Sequence, residues 1–337
     1  MSLLFIEGFD TYGATSDVSP GKWDTAVTTG MTIITPGRLG VFNAMRMGVS
    51  SNLLRQNLGT PITVVWGAAV RIDGVGDDSV FIEFRDSGSI QVKGVINTSN
   101  QIELQNSASG VLATSTTVLT VGVYTYIEIK VTIDNSTGAV EVEFDESADI
   151  LTTSIDTQNT GNAYVNEIMV RGQSNNITFD DMYVLDTLGA QTHNKDFLGD
   201  SRIDPFFPDG DGTTTDWGLS TGSNHWELVD ENPPDGDATY IFSDTLNEID
   251  LFDIEDTPAG AGTIHGIQVV ANARKIDAGA RNIRLKAISG ATTQDGASQG
   301  LATTYNNYIE MYETSDGTTT AWTTTTVDSA KIGVEVV

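Results

Sequence analysis

The 337-residue chain contains no cysteine. That excludes disulfide staples and thiolate metal sites, so the fold must hold by packing and hydrogen bonding alone. Basic residues are scarce: 17 Lys and Arg stand against 46 Asp and Glu, and residues 204–273 contain neither Lys nor Arg. A surface of that sign repels phosphate backbones, which argues against nucleic acid as a partner. Its first reading is solubility at high copy number. Long apolar runs are missing as well. The longest, residues 64–70, is far short of the roughly 20 residues a membrane-spanning helix needs, so no membrane insertion is expected. Residues 1–10 have no basic region and carry an early Glu7, unlike a secretory leader, so the expected place of synthesis and folding is a cytoplasm. The three histidines, His193, His225 and His265, share no ligand spacing, and neither a G-x-S-x-G elbow nor a phosphate-binding G-x-x-x-x-G-K-[ST] loop occurs.

What the chain does have is period-two alternation. Ile127, Ile129, Val131 and Ile133 alternate with Glu128, Lys130 and Thr132; Val140, Val142 and Phe144 alternate with Glu141 and Glu143. The short Asp134–Gly138 connection makes this pair a β-hairpin with one apolar and one polar face. Further strands are expected over 64–72, 80–84, 90–95, 102–105, 165–171 and 177–185, then over 238–242, 264–275, 282–288, 308–312 and 332–336. No helical stripe of useful length accompanies them, so crossover helices are absent and a parallel α/β sheet is excluded. The expected fold class is all-β, with two antiparallel β-sandwich domains. Residues 186–196, poor in large apolar side chains, mark the boundary between a domain at 1–188 and an acidic domain at 189–337.

Residues 196–240 are dense in turn chemistry yet carry Phe206, Phe207, Trp217 and Trp226. Aromatics at that density anchor an ordered core, so the segment reads as the turn-rich entry to the second sandwich. Asp211-Gly-Thr-Thr-Thr-Asp-Trp217 is echoed by Asp316-Gly-Thr-Thr-Thr-Ala-Trp322. The expectation is one turn solution used twice, with Asp-Gly reversing the chain and Trp packing back.

Three constellations bear on chemistry. Glu248, Asp250, Asp253 and Glu255 approach the spacing of paired glycosidase carboxylates, but the long third acid is missing, and the plainer reading is a strand with its carboxylates in water. Asp209 and Asp211 begin like a calcium loop and are the candidate metal ligands, with Asp235 and Asp237 as a second oxygen pair; the remaining EF-hand positions are not filled. Calcium is thus the one cofactor the sequence leaves open, and no catalytic or cofactor-binding residue is assigned. Arg274, Lys275, Arg281, Arg284 and Lys286 form a basic island. Arg284 and Lys286 alternate with Ile283 and Leu285, so they share a strand face, and the island is the candidate subunit interface against an acidic neighbour.

Residues 3–12 (LLFIEGFDTY), 124–145 (YTYIEIKVTIDNSTGAVEVEFD) and 177–186 (ITFDDMYVLD) resemble elements of the concanavalin A-like, laminin G-type jelly roll. That resemblance implies that the first and last strands of the domain pair. The second half resembles structural proteins of tailed bacteriophages in its FLGDSRID (197–204), DGTTTDW (211–217), HWELVDENPPDGDATY (225–240) and C-terminal (306–337) segments. The resemblance implies a virion structural protein: non-enzymatic, made in the host cytoplasm, assembled with copies of itself, by analogy as a trimer, and with other virion proteins. A tail-associated role with binding of a host-surface glycan comes first; capsid decoration and a glycan-degrading depolymerase are the alternatives.

Overall fold

The structure is a computed structural model describing residues 2–18, 21–49, 52–106, 110–172 and 174–337. The chain runs through β1 (Leu3–Glu7), β2 (Thr25–Val27), β3 (Met31–Ile34), β4 (Ala44–Met47), β5 (Leu53–Asn57), β6 (Thr63–Ile72), β7 (Ser79–Asp86) and β8 (Ser89–Ile96). Then come β9 (Gln101–Asn106), β10 (Val111–Val118), β11 (Tyr124–Thr132), β12 (Gly138–Phe144), β13 (Ser147–Ile155), β14 (Glu167–Arg171) and β15 (Ile177–Asp186). The second half adds β16 (Pro208–Thr215), β17 (Gly218–Leu219), β18 (Ile241–Phe242), β19 (Ile249–Ile254) and β20 (Ile267–Ala273). It closes with β21 (Asn282–Ser289), β22 (Thr292–Asp295), β23 (Gln299–Gly300), β24 (Asn306–Tyr312), the short helix α1 (Thr324–Asp328) and β25 (Lys331–Val336).

Strands β1 to β15 form a sandwich. An eight-stranded sheet, β13-β12-β11-β6-β15-β4-β3 with β1 added on β15, faces a seven-stranded sheet, β10-β9-β8-β7-β14-β5-β2. All pairings are antiparallel, and β1 does pair with β15, Leu3 opposite Leu185 and Glu7 opposite Met182. The expected hairpin is β11–β12, in register from Ile127↔Phe144 to Thr132↔Ala139. Its inward residues join Trp66, Phe81, Phe84 and Phe179 in the core between the sheets. The second sandwich lays the ribbon β20–β24 over a six-stranded sheet, β16-β19-β25-β21-β22 with β23 on β21; β17–β18 is a further ribbon. Its core joins Ile254, Ile283, Leu285 and Val334 of the sheet to Val269, Tyr308 and Tyr312 of the ribbon, with Trp322 beside them.

Glu128 and its neighbours depart from the expected hairpin, because the second face of the eight-stranded sheet is covered over β1, β15, β6 and β11. Leu3, Val65, Ala69, Tyr126, Tyr183 and Leu185 pack there against Met311 of β24, with Phe197 and Leu198 beside them. Residues 196–204 cross this face as a strap. Glu128, expected in water, is buried beneath it and accepts hydrogen bonds from the Leu198 and Gly199 amides (2.8 and 3.0 Å) and from the Tyr183 hydroxyl. Burial pushes its carboxyl above the usual range against the pull of those donors. The Lys130 ammonium lies 5.7 Å from the Phe197 ring centre and 3.1 Å from Asp196. Arg38 pairs with Asp200 and, at 3.2 Å, with Asp181, whose other oxygen accepts from the Ile203 amide at 2.9 Å. Gly67 is required here, since a Cβ would lie 2.2 Å from Tyr183 Cε1.

Three local expectations are corrected. Residues 208–215, read as turns, form the edge strand β16, a position that tolerates Pro and Gly. The Asp211 and Asp316 echoes therefore differ: the first lies in a strand, whereas Asp316 caps a turn by accepting from the Thr318, Thr319 and Thr320 amides. Only the indoles agree, since Trp217 donates to the Glu248 carbonyl and Trp322 to the Tyr312 carbonyl. Strands β2 to β5, β10 and β13 carried too little apolar alternation to be recognised.

Candidate functional site

Among the described residues no strap like that of residues 196–204 crosses the outer face of the seven-stranded sheet. Its strands place one transverse row in register: Thr25 opposite Arg55, Arg55 opposite Met169, Met169 opposite Glu83, Glu83 opposite Lys93, and Lys93 opposite Gln105. Six strands at about 4.8 Å spacing carry this row over roughly 24 Å. Beside it, Arg171 follows Met169 by two residues, and Glu167 lies between Asn57 and Arg85.

The charges on this face are interlocked. Glu83 is buried and meets Arg171 through one oxygen and Arg85 through the other at 3.2 Å. Glu167, also buried, lies 3.5 Å from Arg85 and 3.4 Å from Arg55, and accepts from the Gly88 amide at 2.6 Å. Arg85 donates to the Met169 sulfur at 3.1 Å. Arg55 reaches Thr25 Oγ1 at 2.8 Å while its side chain stays about one-third exposed. Lys93 has no ion-pair partner among the described residues. Three guanidinium groups and one ammonium thus share this face with three carboxylates, Glu83, Glu167 and Glu103, the last accepting from Gln105 of the row at 2.9 Å, so positive charge exceeds negative by one in a chain of formal net charge −29. Guanidinium forks match carboxylate and sulfate oxygens, and the arginine stems with Met169 supply an apolar floor.

One end of the face is walled by residues 157–165. Gln91, fully buried, accepts from the Asn159 and Thr160 amides and donates to the Asn162 and Tyr164 carbonyls. Burial opposes ionisation of Asp86, but hydrogen bonds from Thr160, Asn162 and Ser87 prevail and hold its carboxyl below the usual range. The wall is therefore built around a carboxylate and is fixed to the sheet.

The residues singled out from sequence lie elsewhere. Asp250 is wholly buried, correcting the expectation that it faces water: it accepts from the Trp217 amide at 2.9 Å and meets His225 Nδ1 at 2.6 Å. Burial raises its carboxyl above the usual range, although those two partners lower it. Glu248 bonds the Ser243 hydroxyl and Asp253 pairs with Lys331, so these acids are held separately rather than aimed at one point. Asp211 accepts from the Trp226 amide at 2.8 Å and Asp209 stands two residues away along β16; no metal-holding group of three or more His, Asp or Glu occurs among the described residues. In the basic island, Arg274 pairs with Asp237 (2.8 Å), Arg281 with Asp277 (2.9 Å), and Arg284 and Lys286 with Asp295 and Glu335. Arg284 and Lys286 do share a face, but Lys286 is buried and β21 lies inside its sheet. Lys275 donates to the Gly279 carbonyl at 2.7 Å. Between the second sandwich, the strap and the first sandwich opens a cleft of about 1540 Å³, lined by Phe206, Phe207, Trp217, Tyr240 and Phe242 among others.

No family model matches the chain, and no curated protein matches it. Solved structures do. The chain is similar to the alginate lyase Aly36B, at 10% identity and a TM-score of 0.38 over 55% of this chain and 96% of that one. It is similar to the catalytic domain of a glycoside hydrolase family 131 protein from Coprinopsis cinerea, at 10% identity and a TM-score of 0.37 over 55% and 94%. A third is domain 4 of AbnA, a GH43 extracellular arabinanase from Geobacillus stearothermophilus, at 13% identity and a TM-score of 0.37 over 55% and 92%. The expectation of a non-enzymatic chain is withdrawn, since a lyase and a hydrolase catalytic domain stand among the solved structures to which the chain is similar.

Proposed function

We infer that the chain engages an anionic polysaccharide on the open face of its seven-stranded sheet, as a component of a tailed-phage particle that meets the host surface. The observation that carries the reading is the Arg55–Met169–Glu83–Lys93 row with Arg85 and Arg171 beside it. Arg85 and Arg171 neutralise the buried carboxylates Glu83 and Glu167, which leaves Lys93 and the one-third-exposed Arg55 to meet an extended polyanion. The roughly 24 Å length suits several sugar residues lying across the strands. Attachment to a phage particle rests on the sequence resemblance of the second half.

Affinity electrophoresis tests the reading directly. The full chain is run through gels containing alginate, polygalacturonate or dextran, at low and at 0.5 M salt. Retardation by an acidic polymer but not by dextran, weakened by salt, is the expected result. The double variant Arg55→Ala/Lys93→Ala is expected to lose affinity at least tenfold, since a hydrogen bond between charged groups contributes about 1.5–3 kcal/mol. Equal mobility of both proteins in every gel would refute it. The same incubations, read for new reducing ends and for unsaturated uronates, show whether binding proceeds to cleavage.

A further inference from the structure

The cleft between the two sandwiches has a wall of a different character from the arginine face. Tyr240 precedes β18 and Phe242 ends it; two residues apart, they share a face, and both line the cleft. Their ring centres lie 6.1 Å apart, and the Phe242 ring lies over Gly218, where a Cβ would stand 2.7 Å from its Cζ. Tyr240 is 40% exposed and Phe242 53%. A pair of rings left open in a cleft is apolar surface of the kind that marks an interaction site.

Carboxylates flank the pair on both sides. Before it, the Thr239 hydroxyl joins Glu231 and Asp235; after it, Ser243 donates to Glu248, and Asp244 follows. All four acids line the cleft, and none has a cationic partner among the described residues. The cleft's own cations do not balance them. Lys22, Arg202, Arg274 and Arg281 are each paired with another carboxylate, and only Lys275 is not. A cleft of this sign draws a cation. The same wall already holds one. Arg274 Nη2 lies 2.8 and 3.0 Å from the two Asp237 oxygens, and its Cζ lies 5.1 Å from the Tyr305 ring centre. The Tyr305 hydroxyl donates to Asp237 at 2.8 Å, so a ring and a carboxylate together hold a guanidinium. Tyr240 and Phe242 repeat that combination without a cation supplied by the described residues.

We propose that the cleft takes an arginine- or lysine-bearing segment of a partner protein. Its guanidinium or ammonium groups lie over Tyr240 and Phe242 and against Glu231, Asp235, Asp244 and Glu248. The cleft, at about 1540 Å³, exceeds the roughly 300–1,000 Å³ of small-molecule sites and has room for an extended chain of several residues. The rings supply contact area that a purely electrostatic encounter lacks, and the acids select the sign of the partner. The site shares no residue with the arginine face, which is proposed to meet a ligand of the opposite charge.

Fluorescence anisotropy at about 0.05 M salt, with a fluorescein-labelled octapeptide of alternating arginine and serine, tests the proposal. Saturable binding is expected, with none for an octapeptide of alternating glutamate and serine. Tyr240→Ala/Phe242→Ala leaves every charge in place and is expected to bind about tenfold more weakly. Glu231→Gln/Glu248→Gln is expected to weaken binding by about the same factor, whereas Asp24→Asn/Asp156→Asn, which removes two exposed charges of the first sandwich, changes it less than about twofold. Circular dichroism verifies that each variant is folded. No saturation below about 100 µM, a folded ring variant that binds as the wild type does, or an equal loss in the Asp24/Asp156 variant would overturn the proposal. So would a glucosamine tetramer that displaces the labelled peptide at a lower concentration than unlabelled peptide does, because the cleft would then belong to an amino sugar.

Discussion

Replacing Glu313 by alanine should uncouple the two sandwiches. Glu313 follows β24 directly and is almost fully buried, and its carboxylate accepts from four donors, two at the start of the first sandwich and two in the link of residues 191–194. They are the Ser2 amide (2.6 Å), the Leu3 amide (3.0 Å), the Gln191 side-chain amide, and Asn194 Nδ2 (3.0 Å). Hydrogen bonds to a buried charge contribute about 1.5–3 kcal/mol each when measured singly, and such sums are not additive. Breaking a buried charged network by removing one partner costs about 3–5 kcal/mol, because the donors left behind remain desolvated. We expect Glu313→Ala to lose about that much, and the loss to fall on the junction. Calorimetry of the wild-type chain should show one transition; the variant should show two, with the first sandwich melting near its original temperature. Glu313→Gln should behave like the alanine variant, since its amide turns an N–H toward groups that are all donors. A single transition shifted by less than about 1 kcal/mol would refute the reasoning, which takes the carboxylate to be the clasp and not a bystander.

Two further perturbations probe the strap. Burial, with help from the charges of Asp180, Asp181 and Glu7, lifts the Asp10 carboxyl to about 8, and burial raises Asp180 and Asp181 as well. Below about pH 4 these groups are protonated in folded and unfolded chain alike; as pH rises toward 8 the unfolded chain releases its protons first, so stability must fall. The melting temperature should therefore decline from pH 5 to pH 8, and Asp10→Asn should flatten that decline; an unchanged profile would show that Asp10 does not hold its proton. Gly67→Ala should cost about 1–3 kcal/mol in urea unfolding, because the new methyl meets a Tyr183 ring whose hydroxyl is bound to Glu128 and cannot yield. A cost near zero would mean that the ring is free to move.

The first sandwich was largely legible because its strands obey a local rule. Alternation at 127–144 gave the β11–β12 hairpin, whereas the pairing of β1 with β15 followed from the jelly-roll resemblance and from no local rule. Strand β16 was misread since Pro-Asp-Gly is turn chemistry in isolation, and only the close approach of β19 keeps residues 208–215 extended; a Cβ on Gly212 would lie 2.6 Å from the Leu251 carbonyl oxygen. Glu128 was misread for a related reason. Alternation tells which residues share a face, not whether a segment 70 residues further on will cover it. The arginine row shows the same limit more sharply. Glu83 and Arg85, Gln91 and Lys93, Glu167 and Arg171 each alternate with buried neighbours, a signal that is present in every strand separately. That β5, β14, β7, β8 and β9 lie side by side is a property of the sheet order and of no single stretch of sequence.

The strap gives the 196–204 segment a physical role that its composition alone did not suggest. It buries the second face of the eight-stranded sheet over β15, β6 and β11 and leaves β12 and β13 open there, where Leu151 is 71% exposed. Its acids, Asp196 and Asp200, are occupied by Lys130 and Arg38 of the covered sheet, so the strap consumes cations there. Among the described residues no such segment lies over Arg55 and Lys93 on the opposite sheet; Lys93 has no ion-pair partner there, and Arg55 shares Glu167 with Arg85. Docking of the two halves therefore selects which surfaces can act. A change that loosened the junction at Glu313 would expose the part of the eight-stranded sheet packed on Met311 without altering a residue of the open arginine face.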